Sequence, residues 1–259
     1  MKENTASNTP KYLLKKCEPP LRWFFICPKT LNNLNLAENP MPLKAVLFDM
    51  DGVIVDTEPL HRKAYFKMFE EFGATVTNEQ YAGFAGACTK KVCETVIEQF
   101  NLNKTYEVLQ DVKRQYFKQL FYSDSEFDLI PGVRKLIEHY YQNNIKMVLA
   151  SSASKITIAM VFEKFGLEPY FDAKISGAEL KESKPHPEIF LRAAHIADEP
   201  NANCMVIEDS TNGILAAHRA GIFCAGFKSS NTHGQDYSLA NTVVTDFKEL
   251  EIEKLKNFF

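Results

Sequence analysis

Two acidic pairs in this chain stand directly after apolar runs. Asp49-Met50-Asp51-Gly52 follows Ala45-Val46-Leu47-Phe48, and Glu208-Asp209-Ser210 follows Cys204-Met205-Val206-Ile207. A third run, Met147-Val148-Leu149-Ala150, leads into Ser151-Ser152-Ala153-Ser154. Short apolar runs ended by polar residues read as buried strands of a parallel sheet. In such sheets ligands bind beyond the carboxyl ends of the strands, where loops diverge and helix N-termini point free amides outward. Four carboxylates and a hydroxyl cluster are thus delivered to one edge. Carboxylates converging within several ångströms repel at roughly 4 kcal/mol per close pair for an effective dielectric near 20, so they require a cation. All-oxygen ligation suits Mg²⁺, which shares its shell with a substrate phosphate, whereas zinc wants His or Cys, and none adjoins these loops. A metal and a phosphate together point to phosphoryl transfer.

Asp49 and Asp51 are two apart, so in an extended segment they share a side, and Gly52 lets the chain turn away. Two roles follow. The carboxylate touching the metal stays ionised and attacks phosphorus, while the second, nearer the leaving oxygen, holds a proton and acts as general acid and then base. The alternative is an ordinary solvated strand-end turn. Lys184, in Glu182-Ser183-Lys184-Pro185-His186-Pro187, sits in a loop stiffened by proline before a helix starting near Glu188. A positioned ammonium there neutralises both nucleophile and phosphoryl group, against the alternative of a solvent-exposed lysine. Ser151 and the amides after it, opening a helix from about Lys155, suit phosphate oxygens or a plain N-cap.

The elements that must position these groups alternate between strand and helix from Ala45 onward, with Ile222-Phe223-Cys224-Ala225-Gly226 in a fourth run. Between Pro59 and about Asp128 no strand is expected. That stretch reads as helices: residues 61–72 ending at Gly73, a capping box at Thr77, then apolar stripes of Val92, Val96, Ile97 and Phe100 and of Leu109, Val112, Tyr116 and Leu120. Pro131-Gly132 opens a helix facing a core with Val133, Leu136, Ile137 and Tyr140, which Asn143-Asn144 ends. The expected organisation is an α/β core over 43–58 and 130–259 with a helical insert over 59–129. Residues 1–42, rich in Asn, Lys and Pro, read as an extension; a translation start at Met41 and a targeting segment are further readings.

Composition narrows the function classes. The chain has 259 residues, 45% of them hydrophobic and 24% charged, which fits a globular protein with a sizeable core. A formal net charge of -3 gives no global attraction to nucleic acid or anionic lipid. Six cysteines lie scattered without any C-x-x-C pair, which fits a reducing cytoplasm rather than a disulfide framework. The apolar stretch from Leu21 to Cys27 falls far short of the roughly 20 residues that span a bilayer, so no membrane association is expected. A small-molecule partner and a monomeric chain are expected.

In order and spacing, Asp49-Met50-Asp51-Gly52-Val53, Ser151, Lys184-Pro185 and Glu208-Asp209 resemble motifs one to four of the haloacid dehalogenase superfamily. DTEP (56–59), SKPHPEIF (183–190) and EDSTNGILAAHRAG (208–221) are similar to its β-phosphoglucomutase-like branch of sugar-phosphate phosphatases and mutases. The resemblance covers roughly residues 43–250. It implies a Rossmann-like core with a helical cap that closes over the site, and Mg²⁺ as cofactor. It also implies Asp49 as the nucleophile forming an aspartyl phosphate, and Asp51 as acid/base with its main-chain carbonyl on the metal. Asp209 would be a metal ligand and Glu208 a ligand directly or through water, with Ser151, Lys184 and the Ser152 amide holding phosphate. The second aspartate argues against dehalogenation. His61 aligns with a histidine that mutases use near the acid/base; otherwise it is a helix-surface histidine. Mutases carry a lysine followed by G-x-S-R in the cap, whereas here Ala85-Gly86-Ala87-Cys88-Thr89 has neither lysine nor arginine, which removes the bidentate partner of a second phosphate. Lys90, Lys91 and Lys113 read as solvated charges, and Cys88 as a buried small residue. The leading expectation is a phosphatase of a small sugar or polyol phosphate. A phosphomutase is the alternative, followed by a non-turnover phosphoacceptor of the receiver type or a binding protein.

Overall fold

The computed structural model describes residues 42–84, 87–229 and 234–259. The extension read over residues 1–42 lies outside the described residues except for Pro42. Among the described residues, six strands form one parallel sheet: β1 (Ala45–Phe48), β2 (Lys146–Ser151), β3 (Ala173–Ser176), β4 (Cys204–Glu208), β5 (Phe223–Phe227) and β6 (Thr242–Val244). Their order is β3-β2-β1-β4-β5-β6, so the connection reverses direction beside β1. Crevices open at the carboxyl edge at such switch points. Phe48 is in register with Leu149 on one side and Ile207 on the other, which brings the residues after β1, β2 and β4 to the same level.

The sheet is covered on both faces, which is why its inner strands are continuously apolar rather than alternating. Val46, Phe48, Met147, Leu149, Met205 and Ile207 point to one face, beneath α5 (Val133–Gln142) and α6 (Lys155–Phe165). Ala45, Leu47, Val148, Ala150, Cys204 and Val206 point to the other, beneath α7 (Glu188–Ile196) and α8 (Thr211–Ala220). Every residue of β1 is fully buried, each side chain of Val or Leu size contributing about 1.5–3 kcal/mol of transfer free energy. The α5 stripe of Val133, Leu136, Ile137 and Tyr140 is buried as read, and Gly132 enters it at φ 92°, a conformation that favours glycine. The two outer strands carry little sequence signal. β3 has two buried residues of four and β6 one of three, so neither stands out as an apolar run.

Between β1 and α5 lie four helices: α1 (Glu58–Glu71), α2 (Asn78–Ala82), α3 (Thr89–Gln99) and α4 (Tyr106–Ser123). The capping box at Thr77 is present, with Thr77 accepting from the Gln80 amide and Gln80 accepting from the Thr77 amide. Tyr65, Met68, Phe69, Val92, Cys93, Val96 and Leu109 form a core of their own within the insert. The α4 stripe differs from expectation: Leu109, Lys113, Phe117 and Phe121 are buried, while Val112, Tyr116 and Leu120 are half-buried. Phe117 and Phe121 belong to the larger cluster that packs the sheet, and Leu109 to the insert's cluster. Two aromatic rings with more area to bury turn the helix by one position and take Lys113 inside with them.

Candidate active site

Asp49 follows β1 and is 7% exposed. The next turn is tied by the Val53, Ile54 and Val55 amides, which all reach the Met50 carbonyl, and by the Gly52 amide on the Val55 carbonyl. Gly52 has φ +85°, and a Cβ there would stand 2.0 Å from the Asp209 Oδ2 atom. Its missing side chain thus gives room to a carboxylate that arrives from β4. Glu208, at the end of β4, relies on a second glycine: a Cβ on Gly213 would lie 1.6 Å from its Oε1. Its Oε2 accepts from the Ser210 amide at 2.8 Å and the Ser210 hydroxyl at 2.9 Å. One oxygen each from Asp49, Glu208 and Asp209 lie within 4.8 Å of one another.

Lys184 reaches this group from the loop before α7. Its Nζ donates to Asp49 Oδ1 at 2.5 Å and to Glu208 Oε1 at 2.8 Å, with 5% of the side chain exposed. The loop is anchored by Arg219 of α8, whose guanidinium donates to the Pro185 carbonyl. Ser151 is buried at the end of β2, and its hydroxyl accepts from the Ala153 amide at 3.1 Å. The N-cap of α6 is Ser154, not Ser151, so the Ser151 hydroxyl is not consumed by capping. Ser151, Ser152, Asp49, Asp51, Lys184, Glu208 and Asp209 all line one cavity of about 360 Å³. Seven of the eight residues singled out in the sequence therefore meet at one place.

Negative charge exceeds positive in that cavity. Burial pushes the Asp49 carboxyl up, Lys184 opposes this, and the Glu208 charge adds to it. Burial and then the Glu208 charge raise Asp209 to about 7. Burial likewise raises Asp51, against the hydrogen bond it accepts from Thr57 Oγ1 at 2.5 Å. Burial alone would lower Lys184, but the charges of Asp49 and Glu208 outweigh it and hold the ammonium above its ordinary range. One cation among four carboxylates leaves a place that a hard divalent ion fits: the donors are oxygens throughout, with no His or Cys among the residues lining the cavity.

The chain's middle, residues 46–227, matches the family model for haloacid dehalogenase-like hydrolases. The chain belongs to this family. A phosphorylated-carbohydrate phosphatase of Thermotoga maritima is 31% identical over 184 residues, 70% of this chain and 82% of that protein. The β-phosphoglucomutase of Bacillus subtilis is 30% identical over 218 residues, 82% of this chain and 94% of its own. Among solved structures, a β-phosphoglucomutase from Clostridium difficile superposes with a TM-score of 0.65 at 29% identity, covering 83% of this chain and 96% of that one. The core of this haloacid dehalogenase-like hydrolase is thus the parallel α/β sheet read from its apolar runs. Membership in an enzyme family also sets aside the receiver-type reading.

His61, the eighth residue, lies elsewhere, in a cavity of about 520 Å³ within the insert lined also by Glu58, Arg62, Tyr65, Tyr81 and Lys113. It is not a surface histidine: its ring stacks on Phe117 at 4.3 Å, and its Nδ1 is 2.8 Å from Lys113 Nζ. Burial, and then the Lys113 charge, lower His61 to about 3. The imidazole is therefore neutral, with Nδ1 accepting from the ammonium and the proton on Nε2. Lys113 corrects the sequence reading, since it is 6% exposed and burial lowers it to about 8. Cys88 is a second correction, being exposed at the position before α3, while Cys93 within that helix is buried. Of the cap segment compared with mutases, Ala85 and Gly86 lie outside the described residues, and Ala87 and Thr89 line this second cavity.

Thr57 is hydrogen-bonded to a residue of each cavity and was read only as part of the DTEP segment, with no role of its own. Its hydroxyl is turned to Asp51 instead of capping α1, while its carbonyl accepts from the His61 amide. Gly213 and Gln235 were also missed. The first is legible only once Glu208 is known to need its space, and the second arrives from a loop distant in sequence.

Proposed function

We propose that this enzyme is a Mg²⁺-dependent phosphatase of a small phosphorylated sugar or polyol, working through an aspartyl phosphate on Asp49. The observation that carries the reading is Lys184 held between Asp49 and Glu208, with Asp209 brought against them by Gly52. The relatives named above act on phosphorylated carbohydrates or carry the name of a phosphoglucomutase, which supports the substrate class.

Asp49, Asp209, the Asp51 main-chain carbonyl and Glu208, directly or through water, would hold the ion. When bound, Mg²⁺ supplies positive charge to the oxygens of the transferring phosphoryl group. In the first step a carboxylate oxygen of Asp49 forms a bond to phosphorus as the bond from phosphorus to the sugar oxygen breaks. Asp51 gives that departing oxygen its proton; burial favours its protonated form over that of an ordinary aspartate, and the Thr57 hydroxyl leaves one carboxyl oxygen to carry the proton. Lys184 offsets the repulsion between the nucleophile and the phosphoryl oxygens, and Ser151 with the Ser152 amide holds those oxygens in line. In the second step Asp51, now a base, takes a proton from water, whose oxygen attacks phosphorus. The bond from Asp49 breaks and inorganic phosphate leaves.

The helical insert over 59–129 acts as a cap whose cavity selects the alcohol portion, with His61 contributing there. A monomer working in the cytoplasm belongs to the same proposal. The described residues contain no helix long and apolar enough to cross a membrane.

A mutase is the second reading, favoured by the neutral His61 paired with a buried Lys113. Phosphorus NMR of the enzyme with Mg²⁺ and β-glucose 1-phosphate, beside a panel of other sugar and polyol phosphates, separates the two. Phosphatase activity gives inorganic phosphate from at least one ester. Conversion to glucose 6-phosphate without inorganic phosphate would replace it with the mutase reading.

A further inference from the structure

Glu208 and Asp209 are adjacent in sequence, yet different things hold them. The Glu208 carboxylate is fixed by Ser210 and Lys184, whereas Asp209 stands in the clearance above Gly52. The main chain of Asp209 is engaged by a segment that comes back over the sheet edge after β5. Asn241 ties that segment to β5 twice, its amide donating to the Cys224 carbonyl at 2.9 Å and its Oδ1 accepting from the Cys224 amide at 2.8 Å. Tyr237 lies against Gly226, where a Cβ would stand 2.7 Å from the ring. Its hydroxyl donates to the Asp209 carbonyl at 2.9 Å and is 3.4 Å from the Phe227 carbonyl. Gln235 Oε1 accepts from the Thr211 amide at 2.7 Å and the Thr211 hydroxyl at 2.9 Å, and that hydroxyl accepts from the Asp236 amide at 2.8 Å.

We infer that the segment from Gly234 to Asn241 is a strap for the turn after β4, and that Tyr237 is a positioning residue that sets how tightly Asp209 and its neighbours hold a divalent cation. The inference rests on the metal-dependent reading of the site. Fixing the Asp209 carbonyl fixes the direction in which its side chain leaves the backbone. Without that anchor, repulsion from Glu208 turns the Asp209 carboxylate away, since adjacent like charges separate wherever the backbone lets them. Groups that orient metal ligands from behind typically change metal affinity or activity 10–100-fold when removed. Gly226 acquires a purpose on this account: it makes room on β5 for the ring that carries the hydroxyl.

Mg²⁺ binding to the full-length protein by isothermal titration calorimetry, with no substrate present, tests this in Tyr237→Phe and Gly226→Ala. The first removes the hydroxyl and keeps the ring; the second keeps the hydroxyl and displaces the ring. Both should weaken Mg²⁺ binding about 10–100-fold while thermal unfolding stays within a few degrees of wild type. Ser238→Ala, in the same strap, should bind as wild type does. Either variant alone decides the matter if the other does not fold. Wild-type protein that binds Mg²⁺ beside variants that bind it within twofold overturns the strap and leaves the metal-dependent reading standing. Wild-type protein that binds no Mg²⁺ overturns both.

Discussion

Gly52 and Gly213 have no functional groups, yet each decides where a carboxylate stands. Gly52→Ala combines a left-handed backbone, costing about 1–2 kcal/mol for a residue with a Cβ, with a collision at Asp209 Oδ2. Its expected effect is a 10–100-fold rise in the Mg²⁺ concentration that half-saturates activity, measured by metal titration of turnover. Lys184→Met tests the charge balance. It leaves Asp49 and Glu208, both buried, without their shared ammonium, and should lower stability by about 3–5 kcal/mol in urea unfolding without metal. Legibility at this scale was high for groups that carry charge in a fixed order. Asp49, Asp51, Lys184, Glu208 and Asp209 stood out because each follows an apolar run or precedes proline. Thr57 did not, because an uncharged residue inside the DTEP segment declares no partner, and only the structure turns its hydroxyl to Asp51.

Helices α1 and α4 meet through His61, Lys113 and Phe117. His61 is lowered to about 3 from an ordinary 6.5, so as pH falls below 6.5 the unfolded chain takes up the proton first. Its contribution to stability is therefore whole above 6.5 and is lost progressively down to 3. A His61→Asn variant should show a shallower loss of unfolding midpoint over that window. Lys113→Met removes the second cause of the shift and leaves burial, so the His61 imidazole should titrate higher, though still below 6.5, when followed by proton NMR. Sequence periodicity placed α4 but faced it one position wrong. Counting apolar residues gave Val112 and Tyr116 the weight that packing gives to Phe117 and Phe121, and a lysine looked solvated because its half-buried partner His61 lies 52 positions away. The outer strands β3 and β6 were missed for a related reason: an edge strand buries too little to leave a pattern.

The proposed function assigns two tasks to two cavities, one at the carboxyl edge of the sheet and one within the helical insert. That division predicts which measurements move together. Arg62→Ala, in the insert cavity, should raise KM for the best substrate about tenfold, the loss of one charged hydrogen bond, and leave Mg²⁺ affinity unchanged. Substitutions at the sheet edge should do the reverse. The parallel sheet was legible because its four inner strands are apolar on both faces, whereas the strand order that sets the switch point is seen only in the structure. The cavity within the insert was not legible, because its lining comes from four helices, α1 to α4, whose mutual packing no single segment records.

The central claim is that Asp49 is the nucleophile of a phosphoryl-transfer reaction, and phosphate release by Asp49→Asn tests it most directly. The substitution keeps size and shape, so the variant should fold as the wild type does. The account predicts multiple turnovers of a phosphorylated sugar or polyol by wild type with Mg²⁺, none with chelator, and a fall of at least about 10⁴-fold in Asp49→Asn. An Asp49→Asn protein that hydrolyses the same ester near the wild-type rate would contradict it.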